Sequence, residues 1–169
     1  MQKNLVITSM EAELREWITE FLSRPNPMLN NFPPCPFAKR ALLEDRIHIE
    51  RFTTWNRLTE VAAQWDDSAE VALFWFTPDV MSYDEMNRNK WIFNDIWRAE
   101  DMWLLGDHPD HPEHINGVCM NFGSACLLLL QRLSRLSSAS EQLRQAGYYD
   151  SWSLEDQEFV RQRNAQSPI

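Results

Sequence analysis

Apolar residues recur along this chain with two different periods, and the switching between them predicts its elements. Leu14, Trp17, Ile18, Phe21 and Leu22 repeat at helical spacing, so residues 11–23 read as an amphipathic helix. Thr8 with Glu11 supplies a capping box for its start, and Pro25 ends it. Residues 26–36 carry four prolines and no period. They include Met28, Leu29 and Phe32, so this loop is expected to pack on the body. A short helix is expected over 38–43. Residues 46–52 then alternate, with Ile47, Ile49 and Phe52 apolar and His48 and Glu50 facing the other way, as in a half-buried strand. Helical spacing returns over 54–65 through Leu58, Val61, Ala62 and Trp65. Residues 70–76 are nearly continuous in apolar side chains, as a strand buried on both faces is.

Pro78 stops that strand. Ser82 and Glu85 form a second capping box, opening a helix to about Ala99 with Met86, Phe93, Ile96 and Trp97 inward. Residues 102–105 read as a third strand, and 117–122 as a fourth that pairs back as a hairpin. Residues 125–145 read as one long helix that Gly147 caps, and 153–163 as a last, polar helix. Strand and helix alternate in the order of a small sheet covered by helices. The expected fold class is therefore α+β: a single domain over 1–169 with a mixed sheet of three to four strands. The crossover between the first two strands is expected to be parallel and right-handed.

Composition narrows the classes. With 169 residues the chain is long enough for a substantial core. Its net charge of −9, without a basic stripe, argues against nucleic acid, whose phosphates need clustered Lys and Arg. The longest apolar run, 125–130, is too short to span a membrane, and the first residues hold no signal-peptide core. The three cysteines, Cys35, Cys119 and Cys126, lack framework spacing, which fits a reducing cytoplasm. Eight Trp and nine Phe are mostly core, with a minority free to wall a pocket. Four glycines and no phosphate-cradling loop argue against a nucleotide fold.

Candidate chemistry concentrates in Gly106-Asp107-His108-Pro109-Asp110-His111-Pro112-Glu113-His114, which holds three of the four histidines. Imidazole is the commonest transition-metal ligand, and carboxylates complete such sites. Pro109 and Pro112 forbid a regular helix and make this a stiff loop. The expected metal is Zn or Fe, held by His108 with His111 or His114 and with Asp107 or Asp110. A polar hairpin tip accounts for the same residues. Tyr83, Asp84 and Glu85 read as caps of their helix, and His48 as an exposed or satisfied strand residue. Cys119 and Cys126 read as core.

Cys35 stands just before the short helix, where peptide dipoles favour a thiolate. A buried small hydrophobe is the competing reading. Cys-Pro-Phe resembles the active-site turn of glutaredoxin-like proteins, but no strand precedes it and Ala38 replaces the second cysteine. Cys35-Pro36-Phe37-Ala38, an apolar strand ending in Thr77-Pro78, and His108-Pro109-Asp110 after a later strand together resemble a family of uncharacterised bacterial proteins. The resemblance spans roughly residues 11–136. It departs at His111, where that family has Tyr, and at Asn121-Phe122-Gly123-Ser124, which replaces an Asn-Arg-Ser-Pro run. It carries no activity with it. It implies that Cys35 and His108 share a cleft. The residues themselves suggest aromatic walls for such a pocket, from Phe37, Trp75 or Trp103.

Three functions follow as alternatives. The first is an enzyme acting on a small molecule with Zn or Fe in the histidine loop. The second is a thiol enzyme in which Cys35 attacks and His108 is the base. The third is a non-catalytic binding or accessory protein.

Overall fold

The computed structural model describes residues 9–167 in full and residues 2–8 by their helical course alone. Helix α1 (Gln2–Trp17) runs on into a π-helical turn at Ile18–Leu22, burying Leu14 and Ile18. The helix start expected at Thr8 and residue 11 is corrected: α1 already runs from Gln2, so position 8 lies within the helix and not at its cap. A proline-rich loop leads to α2 (Ala38–Leu43), then β1 (Ile47–Arg51), α3 (Trp55–Ala63) and β2 (Val71–Phe76). Next come α4 (Tyr83–Trp97), β3 (Met102–Asp107), a small hairpin of β4 (His114–Ile115) and β5 (Val118–Cys119), and β6 (Cys126–Arg132). Helices α5 (Leu133–Gln145) and α6 (Leu154–Asn164) finish the described chain.

The fold class is α+β, with one four-stranded mixed sheet in the order β1-β2-β6-β3. β1 and β2 are parallel through the α3 crossover, in register Ile49 with Leu73, and β6 runs antiparallel to both β2 and β3. Capping matches the local chemistry. Ser82 Oγ accepts from Glu85 N–H, Thr54 Oγ1 from Arg57 N–H, and Ser153 Oγ from Asp156 N–H. Gly147, at φ 84°, turns the chain out of α5. The proline-rich loop packs on the body as expected: Leu29 is fully buried and Tyr148 Oη donates to Pro34 O at 2.6 Å.

The long helix expected over 125–145 is corrected. Its first part is β6, the inner strand between β2 and β3, and only Leu133–Gln145 is helical. Four consecutive leucines satisfy a buried helix and a buried strand equally well. Here both ladder sides of β6 are occupied, and Leu127, Leu128 and Leu130 are fully enclosed. The strand expected at 117–122 contributes only Val118–Cys119, in a separate two-stranded hairpin. Ile96, expected inward, is exposed.

The sheet has two covered faces. On one, Ala72, Phe74, Phe76, Leu104, Leu128 and Leu130 pack with Met81, Met86 and Trp97 under α3 and α4. On the other, Leu73, Trp75 and Leu127 meet Leu14 of α1. Ile47 joins Ile18, Ala38 and Ala41 there.

Candidate functional site

Strand β3 delivers the histidine loop at its C-terminal end, and His108 turns inward, 1% exposed. Its Nε2 lies 3.1 Å from Met81 O, and its Nδ1 lies 3.2 Å from the Asp110 N–H. A carbonyl only accepts and an amide N–H only donates, so the neutral ring carries its proton on Nε2. The Asp110 carboxylate, 3.8 Å from Nδ1, faces a nitrogen that has no proton to give in this form. The His108 carbonyl accepts from His111 N–H at 3.0 Å and from Asn121 Nδ2 at 3.2 Å. His108 thus ties the loop after β2 to the loop after β3.

Asp107 works beside it. Its carboxylate accepts from Asn121 Nδ2 at 2.8 Å and Phe122 N–H at 2.9 Å. Burial pushes its pKa up, and these two donors offset that only in part. Asn121 is the hub of the segment, because its Oδ1 also takes the Glu113 N–H at 2.6 Å. The sequence carried only a weak signal for it: Asn is a common bridge to loop backbone.

The remaining histidines diverge. His111 lies flat on Tyr83, ring centroids 4.1 Å apart and 7° from parallel. His114 is exposed on β4 opposite Cys119. Among the described residues no three His, Cys, Asp or Glu side chains gather as a metal-binding group. The set expected to hold Zn or Fe (His108, His111, His114, Asp107 and Asp110) is therefore not brought together as one. The prolines and the buried turn at His108 point the three rings at three different surroundings.

Cys35 lies elsewhere. It is half-buried, its N–H donates to Leu22 O at 2.9 Å, and it packs with Ile18, Ala38, Ala41 and Ile47 on the α1 face. His108 reaches Met81 and Tyr83 on the α4 face. The sheet stands between them, and the structure does not bring the two into one cleft. Burial raises the Cys35 thiol, outweighing the favourable backbone amides of Phe37 and Ala38, so the expected thiolate is not favoured. The expected walls also separate: Phe37 is exposed, Trp75 is in the α1-side core, and Trp103 lies edge-on to Trp91. Cys126 is buried, with its thiol pushed up to about 12 by desolvation, whereas Cys119 is exposed rather than core.

Two clefts open beside β1. A cleft of about 300 Å³ is lined by Asp45, Arg46, Ile47, His48, Ser68 and Ala69. A second of about 200 Å³ adjoins it through His48 and Ala69 and reaches Arg57 and Trp65. Between them His48 Nε2 meets Glu50 Oε2 at 2.9 Å, and Arg57 holds the Glu50 carboxylate with two bonds of 2.7 and 3.0 Å. Arg57 first, then His48, keeps the Glu50 carboxyl below its usual range. Both clefts are shallow compared with sites that enclose a small molecule.

No protein family, curated protein or solved structure gives a match to this chain. Among the described residues no helix is long and apolar enough to cross a membrane.

Proposed function

We propose that this chain is a non-catalytic binding or accessory protein of a reducing, cytoplasmic compartment, in which the histidine loop is a structural latch rather than a reaction centre. One observation carries the reading: both ring nitrogens of His108 are committed to backbone partners, one donating and one accepting. A general base needs a free lone pair, and so does a metal ligand. Cys35 adds support, since its thiol is held protonated and faces the opposite side of the sheet. The excess of acidic residues argues against nucleic acid as the partner.

A second reading keeps the small-molecule enzyme, with Zn or Fe in the histidine loop. It draws on the His111 ring nitrogens, which carry no hydrogen bond among the described residues.

Two measurements on the full chain decide between them. Calorimetric titration with zinc is expected to show no stoichiometric site. Timed alkylation at mildly acidic pH is expected to modify the exposed Cys119 first, Cys35 more slowly, and Cys126 only on unfolding. A zinc site near one equivalent that disappears in His111→Ala establishes the second reading instead. Alkylation of Cys35 ahead of Cys119 restores the thiol enzyme.

A further inference from the structure

Strand β1 is one border of the sheet, paired only with β2. Phe52 N–H donates to Trp75 O at 2.8 Å, which fixes the alternation of the ladder. In a parallel pair each residue turns its N–H and C=O to the same side, so His48 and Glu50 bond inward to β2. Ile47, Ile49 and Arg51 therefore present three N–H and three C=O groups outward. No described residue bonds to them. Unpaired edge groups of this kind are a template for another strand.

The sequence of β1, Ile-His-Ile-Glu-Arg, is complementary to itself when reversed about Ile49. Laid antiparallel on a second β1, Ile49 meets Ile49, and Ile47 meets Arg51 on each side of it. These three pairs fall at the outward-facing residues, so each exchanges two backbone bonds, six in all (three pairs, two bonds each). His48 then stands opposite Glu50 twice, at the non-hydrogen-bonded positions where Cα atoms approach to about 4.5 Å and side chains interact most strongly. Glu50 is already oriented for this by Arg57, and His48 by its bond to Glu50 on the same strand. A strand with like charges at 48 and 50 would repel its copy. This one sets an acid against an imidazole at both crossings.

The far border explains why such pairing would stop at two copies. On β3, Asn94 of α4 donates Nδ2 to Leu104 O at 2.9 Å and accepts Leu104 N–H at 2.7 Å. The carboxamide occupies both outward backbone groups at the middle of β3, and Met86 and Lys90 of α4 lie against Gly106, so a further strand could not register along this border.

We propose that two copies of this chain associate through β1, antiparallel and centred on Ile49, joining their four-stranded sheets into one continuous sheet. The partner is a second copy because the charge pattern, the hydrogen-bonding register and the closed opposite border all satisfy a two-fold axis through Ile49. This deepens the reading of the chain as a binding protein and rests on it.

Sedimentation equilibrium of the full chain over a concentration series tests the pairing. Wild type is expected to reach twice the monomer mass reversibly. Ile49→Pro removes the central outward N–H without touching a bond to β2, and is expected to abolish the dimer while keeping the wild-type circular dichroism. His48→Glu sets two acids opposite each other and is expected to weaken association at least about tenfold, as a like-charge crossing repeated by the two-fold does. Adding Glu50→His in the same chain restores opposite charges at the crossing and is expected to recover most of the loss. That recovery also separates lost pairing from lost folding. A wild type that stays monomeric throughout overturns the proposal. So does a dimer that survives Ile49→Pro, or a His48→Glu loss that the second exchange leaves unchanged. A monomeric wild type leaves the binding-protein reading standing, because zinc binding and thiol order decide that reading independently.

Discussion

At β3 the sheet ends under a helix, with Asn94 inserted against Leu104 and only 1% exposed. At β1 it ends beside two open clefts, with His48 and Arg51 exposed and the outward backbone groups unpaired. Both borders face the same physical problem, since a strand's unpaired N–H and C=O groups either meet water or find a partner. The β3 solution is internal and permanent. The β1 solution leaves the groups available. The histidine loop belongs to the sealed side, where His108, Asp107 and Asn121 satisfy one another and the loop backbone. The lesson is that the buried residues of the segment richest in chemical groups are committed to holding the fold. The surface free to act is a short strand with an unremarkable composition.

Substitutions sharpen this contrast in order of size. Asn94→Leu leaves the Leu104 N–H and C=O buried without partners, and is expected to cost about 3 kcal/mol in urea unfolding. A loss no larger than a surface substitution gives would mean that the β3 border is as open as that of β1. His108→Ala orphans Met81 O and the Asp110 N–H and opens a small void, with an expected loss of about 2 kcal/mol. If it leaves stability unchanged, His108 is not a latch. Ile49→Pro alters a half-buried side chain but no bond to β2, so about 1 kcal/mol is expected in monomeric protein, from packing alone. A loss equal to that of Asn94→Leu would show that the β1 groups are bonded after all.

The smallest effect is in pH dependence. The folded pKa of Asp107 is raised, so between the ordinary carboxyl range and that raised value the native state holds more proton than the unfolded one. Stability from this residue therefore falls as pH rises through that window, and is greatest below it. Asp107→Asn removes the titration, so the stability of wild type relative to the variant should decline as pH climbs from acid toward neutral. An opposite slope, read from unfolding midpoints across pH, would mean that the carboxylate gains more from Asn121 and Phe122 than it loses by burial.

Much of this was legible from periodicity. The alternation of Ile47 and Ile49 against His48 and Glu50 gave β1 its faces, and the run ending at Phe76 marked β2 as a strand buried on both sides. Ser82 and Gly147 took the capping roles their types favour. The α+β class followed from the order of elements. The leucines of β6 were not legible, because an apolar run has no period to read and its state depends on having neighbours on both sides. The same limit applied to the candidate site. His108 and Asp107 stood out as residue types, yet their roles were set by Met81, Asn121 and Phe122, far away in sequence and brought near only by the sheet. Composition and spacing determined which residues are able to do chemistry. Tertiary structure alone decided which lone pairs are already occupied and which border of the sheet stays open, because both depend on partners that no local stretch of the chain contains.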